Sequence, residues 1–268
     1  VEQQVADVLV DRRDDGVAVV TLHDPDRRNA MTPEMGDALR DAFLGLAADD
    51  DLRVAVLTGT PPAFSAGGDL GMLEDHARRT REEGFDATDE MRSFYERFLE
   101  LRSLPVPVVA AINGHAVGAG LCVALACDLR FVAHEAKVGL NFSRLALHPG
   151  MGGSWFLPRI LGDQRAAKWL YTGRLFSGSE AAADGLALQA LPADEVLPAA
   201  LTLAEEIAEA SPLVVRQLRT TLAVSATKSL DEQLDLEAAM QAVNYGTEDL
   251  AEGLAAGRDR RTPEFTGG

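Results

Sequence analysis

Two short segments built mostly from small residues could do chemistry through their backbones. The first is Ala63-Phe64-Ser65-Ala66-Gly67-Gly68-Asp69-Leu70. The second runs from Ala110-Ala111-Ile112-Asn113-Gly114 through His115-Ala116-Val117 to Gly118-Ala119-Gly120-Leu121-Cys122. Each follows an apolar, β-like run. Loops without bulky side chains let N–H groups approach a ligand oxygen, and fixed N–H dipoles aimed at one oxygen stabilise negative charge there. The plain alternative is a pair of tight turns. A dinucleotide-binding reading of Gly118-Ala119-Gly120 fails, because Val123 stands where that fingerprint needs its third glycine.

The elements that must position these loops follow from local pattern. Val8–Val10 and Val17–Leu22 read as strands joined by a turn at Asp14-Asp15-Gly16. Thr32 followed by Pro33 and Glu34 is a helix start, and the helix is expected to run to about Ala48. Val54–Thr58, Val108–Ile112 and Leu129–Ala133 read as strands; Asp86–Leu101 and Gly118–Ala126 read as helices. Such alternation predicts layered α/β packing with right-handed crossovers. From about Gly152 the pattern turns mostly helical, with Pro198–Ala210, Pro212–Ser225 and Leu230–Tyr245 as amphipathic helices. The expected division is an α/β core over residues 1–195 and a helical region over 196–268. The charged stretch His76–Ala87 is expected to be a mobile surface segment.

Composition narrows the partners. A chain of 268 residues with 47% hydrophobic and 25% charged residues is long enough for a substantial core. Its net charge of −17 argues against nucleic acid, whose phosphates it would repel. No apolar run approaches the roughly 20 residues that span a bilayer, so no membrane partner is expected. The start Val1-Glu2-Gln3-Gln4 lacks the features of a secretory signal, and a cytoplasmic location is the expectation. Cys122 and Cys127 read as buried thiols, and no metal site is expected.

The whole chain resembles the crotonase, or enoyl-CoA hydratase/isomerase, superfamily. The resemblance is carried by Arg28-Asn29-Ala30-Met31, the two small-residue segments, Ala126-Cys127-Asp128, His148-Pro149-Gly150-Met151-Gly152-Gly153, Leu170-Tyr171-Thr172-Gly173 and Arg261-Thr262-Pro263-Glu264-Phe265. It implies a spiral of β-β-α units with a helical C-terminal region used in trimerisation, giving a homotrimer or dimer of trimers. It implies an acyl-CoA thioester as ligand, with coenzyme A as part of the substrate and no tightly bound cofactor. The N–H groups of Ala66 and Ala119 become the expected oxyanion donors, each worth about 3 kcal/mol. Arg28, Asn29, Ala30, Ala63, Gly68, Asp69 and Leu70 become the expected coenzyme A contacts.

The same resemblance exposes departures. Hydratases of the superfamily carry a glutamate at the position of Cys122 and a second at Phe142; some isomerases and dehalogenases carry an aspartate at Gly150. Hydration needs an acid and a base, and phenylalanine is neither. Ordinary hydratase activity is therefore not expected. Isomerase-, decarboxylase- or hydrolase-type chemistry is, with a catalytically silent acyl-CoA-binding protein as the alternative. His148 is the leading substitute proton carrier, unless a backbone carbonyl holds it. Arg144 could orient an acyl carboxylate, or could simply bridge to the protein body.

Overall fold

The computed structural model describes residues 2–5 and 7–268, with side chains from residue 7 onward. In chain order the first half contains β1 (Glu2–Val5), β2 (Val8–Arg12), β3 (Val17–Leu22), β4 (Ala30–Met31), α1 (Pro33–Ala47), β5 (Val54–Gly59), β6 (Ala63–Ser65), β7 (Gly67–Gly68), α2 (Leu70–Glu83), α3 (Thr88–Leu99), β8 (Val108–Ile112), β9 (His115–Val117) and α4 (Ala119–Ala126). There follow β10 (Leu129–Ala133), β11 (Lys137–Gly139), α5 (Gly153–Leu161), α6 (Asp163–Thr172), β12 (Phe176–Ser177), α7 (Gly178–Asp184), β13 (Gln189–Leu191), α8 (Ala193–Ala208), α9 (Pro212–Ser225), α10 (Leu230–Asn244) and α11 (Glu248–Asp259).

The strands form a large sheet in the order β1-β2-β3-β5-β8-β10-β13, a small sheet β12-β11-β9-β6 and the pair β4-β7. From β3 to β13 the large sheet is parallel, with Val56 opposite Val19 on one side and Val109 on the other. Every residue of β5 and β8 is buried, as strands covered on both faces must be. The chain repeatedly lays one strand in the large sheet, the next in the small sheet, and then turns into helix: β5-β6-α2, β8-β9-α4, β10-β11-α5. That is the expected spiral of β-β-α units.

Local rules account for the helices. Thr32 caps α1, its hydroxyl accepting from Met35 N at 3.2 Å, and Met35, Leu39, Phe43 and Leu46 face the core at helical spacing. α8 lies across β5, β8 and β10. It starts at Ala193 and contains Pro198, so the proline expected to open this helix lies inside it. The buried side chains Val196, Ala200 and Ala204 face the core, so α8 straddles the 195/196 division. Arg219 of α9 donates to Asp128 Oδ2 at 3.1 Å, and the same oxygen accepts from Val108 N, tying the C-terminal helices to the sheet. The stretch expected to be mobile is helical as far as Glu83, because Asp69 caps α2 and Gly84 closes it in the left-handed region. Among the described residues no helix is long and apolar enough to cross a membrane.

Candidate active site

The first loop is shaped by one buried side chain. Asn29 sits at φ 54° and is fully buried. Its amide nitrogen donates to Thr60 O at 2.9 Å and Ala63 O at 2.8 Å, while its oxygen accepts from Asp24 N. The Ser65 hydroxyl donates to Asn29 O at 2.7 Å and accepts from Gly67 N. Gly67 takes φ 94°, and a Cβ there would collide with Val117 O of the second loop. Glycine thus lets the two loops abut backbone to backbone. Asn29, Ala30 and Ala63, expected to touch ligand, are buried parts of this scaffold. Asp69 caps α2, accepting from Met72 N at 2.9 Å.

The donor assignment in the first loop changes. Ala66 N–H already donates to Arg28 O at 3.0 Å, so the N–H expected to bind an oxyanion is taken up by the protein. Asp69 N–H donates to Met31 O at 3.2 Å. Along a strand successive N–H groups alternate in direction, so the N–H of Gly68 faces away from β4. Gly68 lines a cavity, and a Cβ at Gly68 would meet nothing within 4 Å. In the second loop, Ala119 is the first residue of α4, whose first-turn N–H groups have no intrahelical acceptor and sit at the positive end of the helix dipole. Ala119 lines the same cavity.

This cavity has a volume of about 160 Å³ and is roofed by α2 and α3 through Leu70, Met72, Leu73, Met91, Phe94 and Tyr95. Opposite them lies the stretch Asn141 to Met151, including Phe142, His148 and Gly150. Among the described residues no Asp or Glu lines it. Phe142 projects inward from a 3-10 turn, 3.8 Å from where a Gly118 Cβ would stand. Cys122 lies behind the wall. It is fully buried, with Sγ 3.5 Å from Gly150 O, and burial pushes its thiol up to about 12. A buried thiol of that kind is protonated and unreactive at neutral pH.

The other expected residues are dispersed. His148 lines the cavity but is exposed, and its Nδ1 lies 2.8 Å from Pro149 O, which fixes the proton on Nδ1 and leaves Nε2 as an acceptor in the neutral ring. Arg144 does not reach the cavity: its Nε donates to Thr172 O at 2.9 Å, so its orientation of an acyl carboxylate is corrected. Arg28 is exposed beside the first loop. Leu70 is exposed at the cavity rim. His115 accepts from Lys137 N, and His76 meets Glu90 at 3.0 Å; neither lines the cavity. Among the described residues no cluster of three or more His, Cys, Asp or Glu could hold a metal ion.

Tyr95, which the sequence reads as a structural tyrosine, also belongs to this cavity. Its half-buried ring lines the cavity, and its hydroxyl lies over Gly150, where a Cβ would come within 2.5 Å of the phenol oxygen. Burial, with the neighbouring Cys122 second, raises its pKa above the ordinary phenol value. The available signal was helical spacing: Tyr95 stands one turn after Met91, on the same face of α3.

Comparison with known proteins agrees with the geometry. The enoyl-CoA hydratase/isomerase family model matches residues 12–268. The probable enoyl-CoA hydratase EchA14 of Mycobacterium tuberculosis is 39% identical over 253 residues, covering 92% of this chain and 96% of its own. The 1,2-epoxyphenylacetyl-CoA isomerase of Escherichia coli is 33% identical over 253 residues, covering 94% of this chain and 95% of its own. The crystal structure of an enoyl-CoA hydratase from Bacillus anthracis superposes with a TM-score of 0.88 at 31% identity, covering 98% of this chain and 100% of that one.

Proposed function

The chain belongs to the enoyl-CoA hydratase/isomerase family, and from that premise we propose that it binds an acyl-CoA thioester and holds its oxygen between the N–H groups of Gly68 and Ala119. Negative charge develops on that oxygen as an enolate forms, and two preorganised donors in a small apolar cavity stabilise it. In this reading Arg28, exposed beside the first loop, pairs with a phosphate of coenzyme A; its exposure is what supports the role. Coenzyme A enters and leaves as part of the substrate.

One arrangement supports the choice of chemistry. Gly68 and Ala119 line a cavity that no carboxylate among the described residues lines. Adding water to a double bond requires a base to activate the water and an acid to deliver a proton. Phe142 and Cys122 supply neither, which favours isomerase-, decarboxylase- or hydrolase-type chemistry over hydration. The isomerase named among the relatives is consistent with that direction. Loss of CO2 from a malonyl-type ester creates the enolate without a protein base; Arg144 plays no part in this version. The second reading, a catalytically silent acyl-CoA binder, draws on the same carboxylate-free lining.

The test is mass spectrometry of the protein incubated with saturated, enoyl, β-keto and malonyl-type CoA esters, with affinity measured alongside. Isomerised product, loss of CO2 or thioester cleavage is the expected result. Gain of water by an enoyl ester overturns the exclusion of hydration, and binding without any conversion establishes the silent binder.

The assembly proposed is a homotrimer or dimer of trimers. Leu218, Leu222, Leu230, Leu234, Val243 and Tyr245 of the C-terminal helical region are exposed in a single copy. Light scattering after size-exclusion chromatography reads the copy number directly.

A further inference from the structure

The proposed reading leaves one hydroxyl of the cavity without a task. Tyr95 projects from α3 beside Met91, and both line the cavity that holds Gly68 and Ala119. Its ring packs edge-on to Phe94, with centroids 6.4 Å apart at 72°, which fixes its direction. The hydroxyl makes no hydrogen bond among the described residues. It occupies the space over Gly150 that any side chain at that position would fill. Bare glycine there and phenol in the vacated space are complementary: residue 150 supplies no group, and α3 supplies one from the opposite wall.

We propose that Tyr95 is the proton donor of this cavity, delivering its hydroxyl proton to the carbon of the enolate held by Gly68 and Ala119. The proposal rests on the enolate reading above. In the step, the enolate's carbon–carbon π electron pair forms a new C–H bond and the thioester C=O re-forms. The O–H bond of Tyr95 breaks, its electrons stay on the phenolate oxygen, and water returns a proton to it. No oxidant or metal is needed. Burial holds the phenol protonated throughout the neutral range, which suits an acid and not a base. The other titratable groups around the cavity are less suited. His148 is exposed, with Nδ1 facing its own backbone, and Cys122 lies behind the wall.

The experiment compares the wild type with Tyr95→Phe and Gly150→Ala. Affinity for butyryl-CoA is measured by calorimetry, and turnover is followed in D2O with the ester panel described above. Tyr95→Phe is expected to keep affinity within about threefold while turnover falls by at least about 100-fold, the usual range for a lost general acid. Gly150→Ala is expected to reproduce that loss although Tyr95 is retained, because the new Cβ displaces the phenol. Tyr95→Phe that turns over within about threefold of wild type overturns the proposal. Wild type that binds butyryl-CoA but converts no ester also overturns it, while leaving the binding reading intact. Failure of the wild type to bind any ester overturns both.

Discussion

Cys122 and Phe142 differ in what their replacement of a carboxylate means. Phe142 faces the cavity and sets its apolar character. Cys122 does not reach the cavity and sits fully buried against Gly150 and Gly153. The two buried thiols, both pushed up to about 12, should resist a thiol reagent at pH 8 in the folded chain and react fully only in denaturant. Counting modified thiols before and after unfolding checks this. A glutamate at Cys122 must fit beside Gly153, where Sγ already lies 3.2 Å from a would-be Cβ. Cys122→Glu should therefore destabilise by about 1–3 kcal/mol from overpacking, with the buried carboxylate adding to the loss. Denaturant unfolding measures the change, and a variant as stable as wild type would show that the wall has room for the side chain.

At the scale of elements, the site depends on how the first loop is fastened. Asn29 satisfies Thr60 O and Ala63 O from a left-handed backbone position. Asn29→Ala leaves buried carbonyls without a donor and should cost about 2–4 kcal/mol. Ester affinity should fall with it, because Gly68 is positioned by the same loop. Gly67→Ala tests the abutment of the two loops: at φ 94° with Val117 O in the way, it should cost about 1–3 kcal/mol and weaken ester binding more than an alanine at exposed Gly84 does. Both comparisons need only unfolding curves and calorimetry. Asn29 was legible as part of a motif but read as a ligand contact. Its true partners are carbonyls about 30 residues away along the chain, as the separation of 31 to Thr60 illustrates.

Across the whole molecule, the C-terminal tail is strapped to α11 and to the sheet. Asp249 accepts from Thr266 N and Gly267 N, and Arg53 donates to Phe265 O. Glu252 pairs with Arg261 and accepts from Glu264 N; the Arg261 hydrogen bond, then the Glu264 amide, hold its carboxyl down to about 2. A carboxyl depressed in the folded state contributes above its unfolded value of about 4.5 and loses that contribution as pH falls towards 2. The Glu264 amide resonance should therefore show a Glu252-linked step centred at about pH 2 in the folded chain, below the ordinary carboxylate range. In Glu252→Gln that titration should vanish. A Glu264 resonance that moves near pH 6 would assign the strap to another group.

Much of this molecule was written in local pattern. Val17–Leu22 and Val108–Ile112 are strands to the residue, and Thr32-Pro33 opens α1 as its capping chemistry requires. Strand and helix periods, turn glycines and caps act over a few residues, so the α/β class and the position of both loops could be read without coordinates. Three features could not. Pro198 lies inside α8 because packing of Val196, Ala200 and Ala204 against the core outweighs a proline's helix-breaking tendency. The free donor is Gly68 and not Ala66 because Arg28 and Met31, distant in sequence, decide which way each N–H points. Tyr95 meets Gly150 because α3 is laid over the turn that carries it. Hydrogen-bond direction and the lining of a cavity arise from contacts between remote segments, and those exist only once the chain has folded.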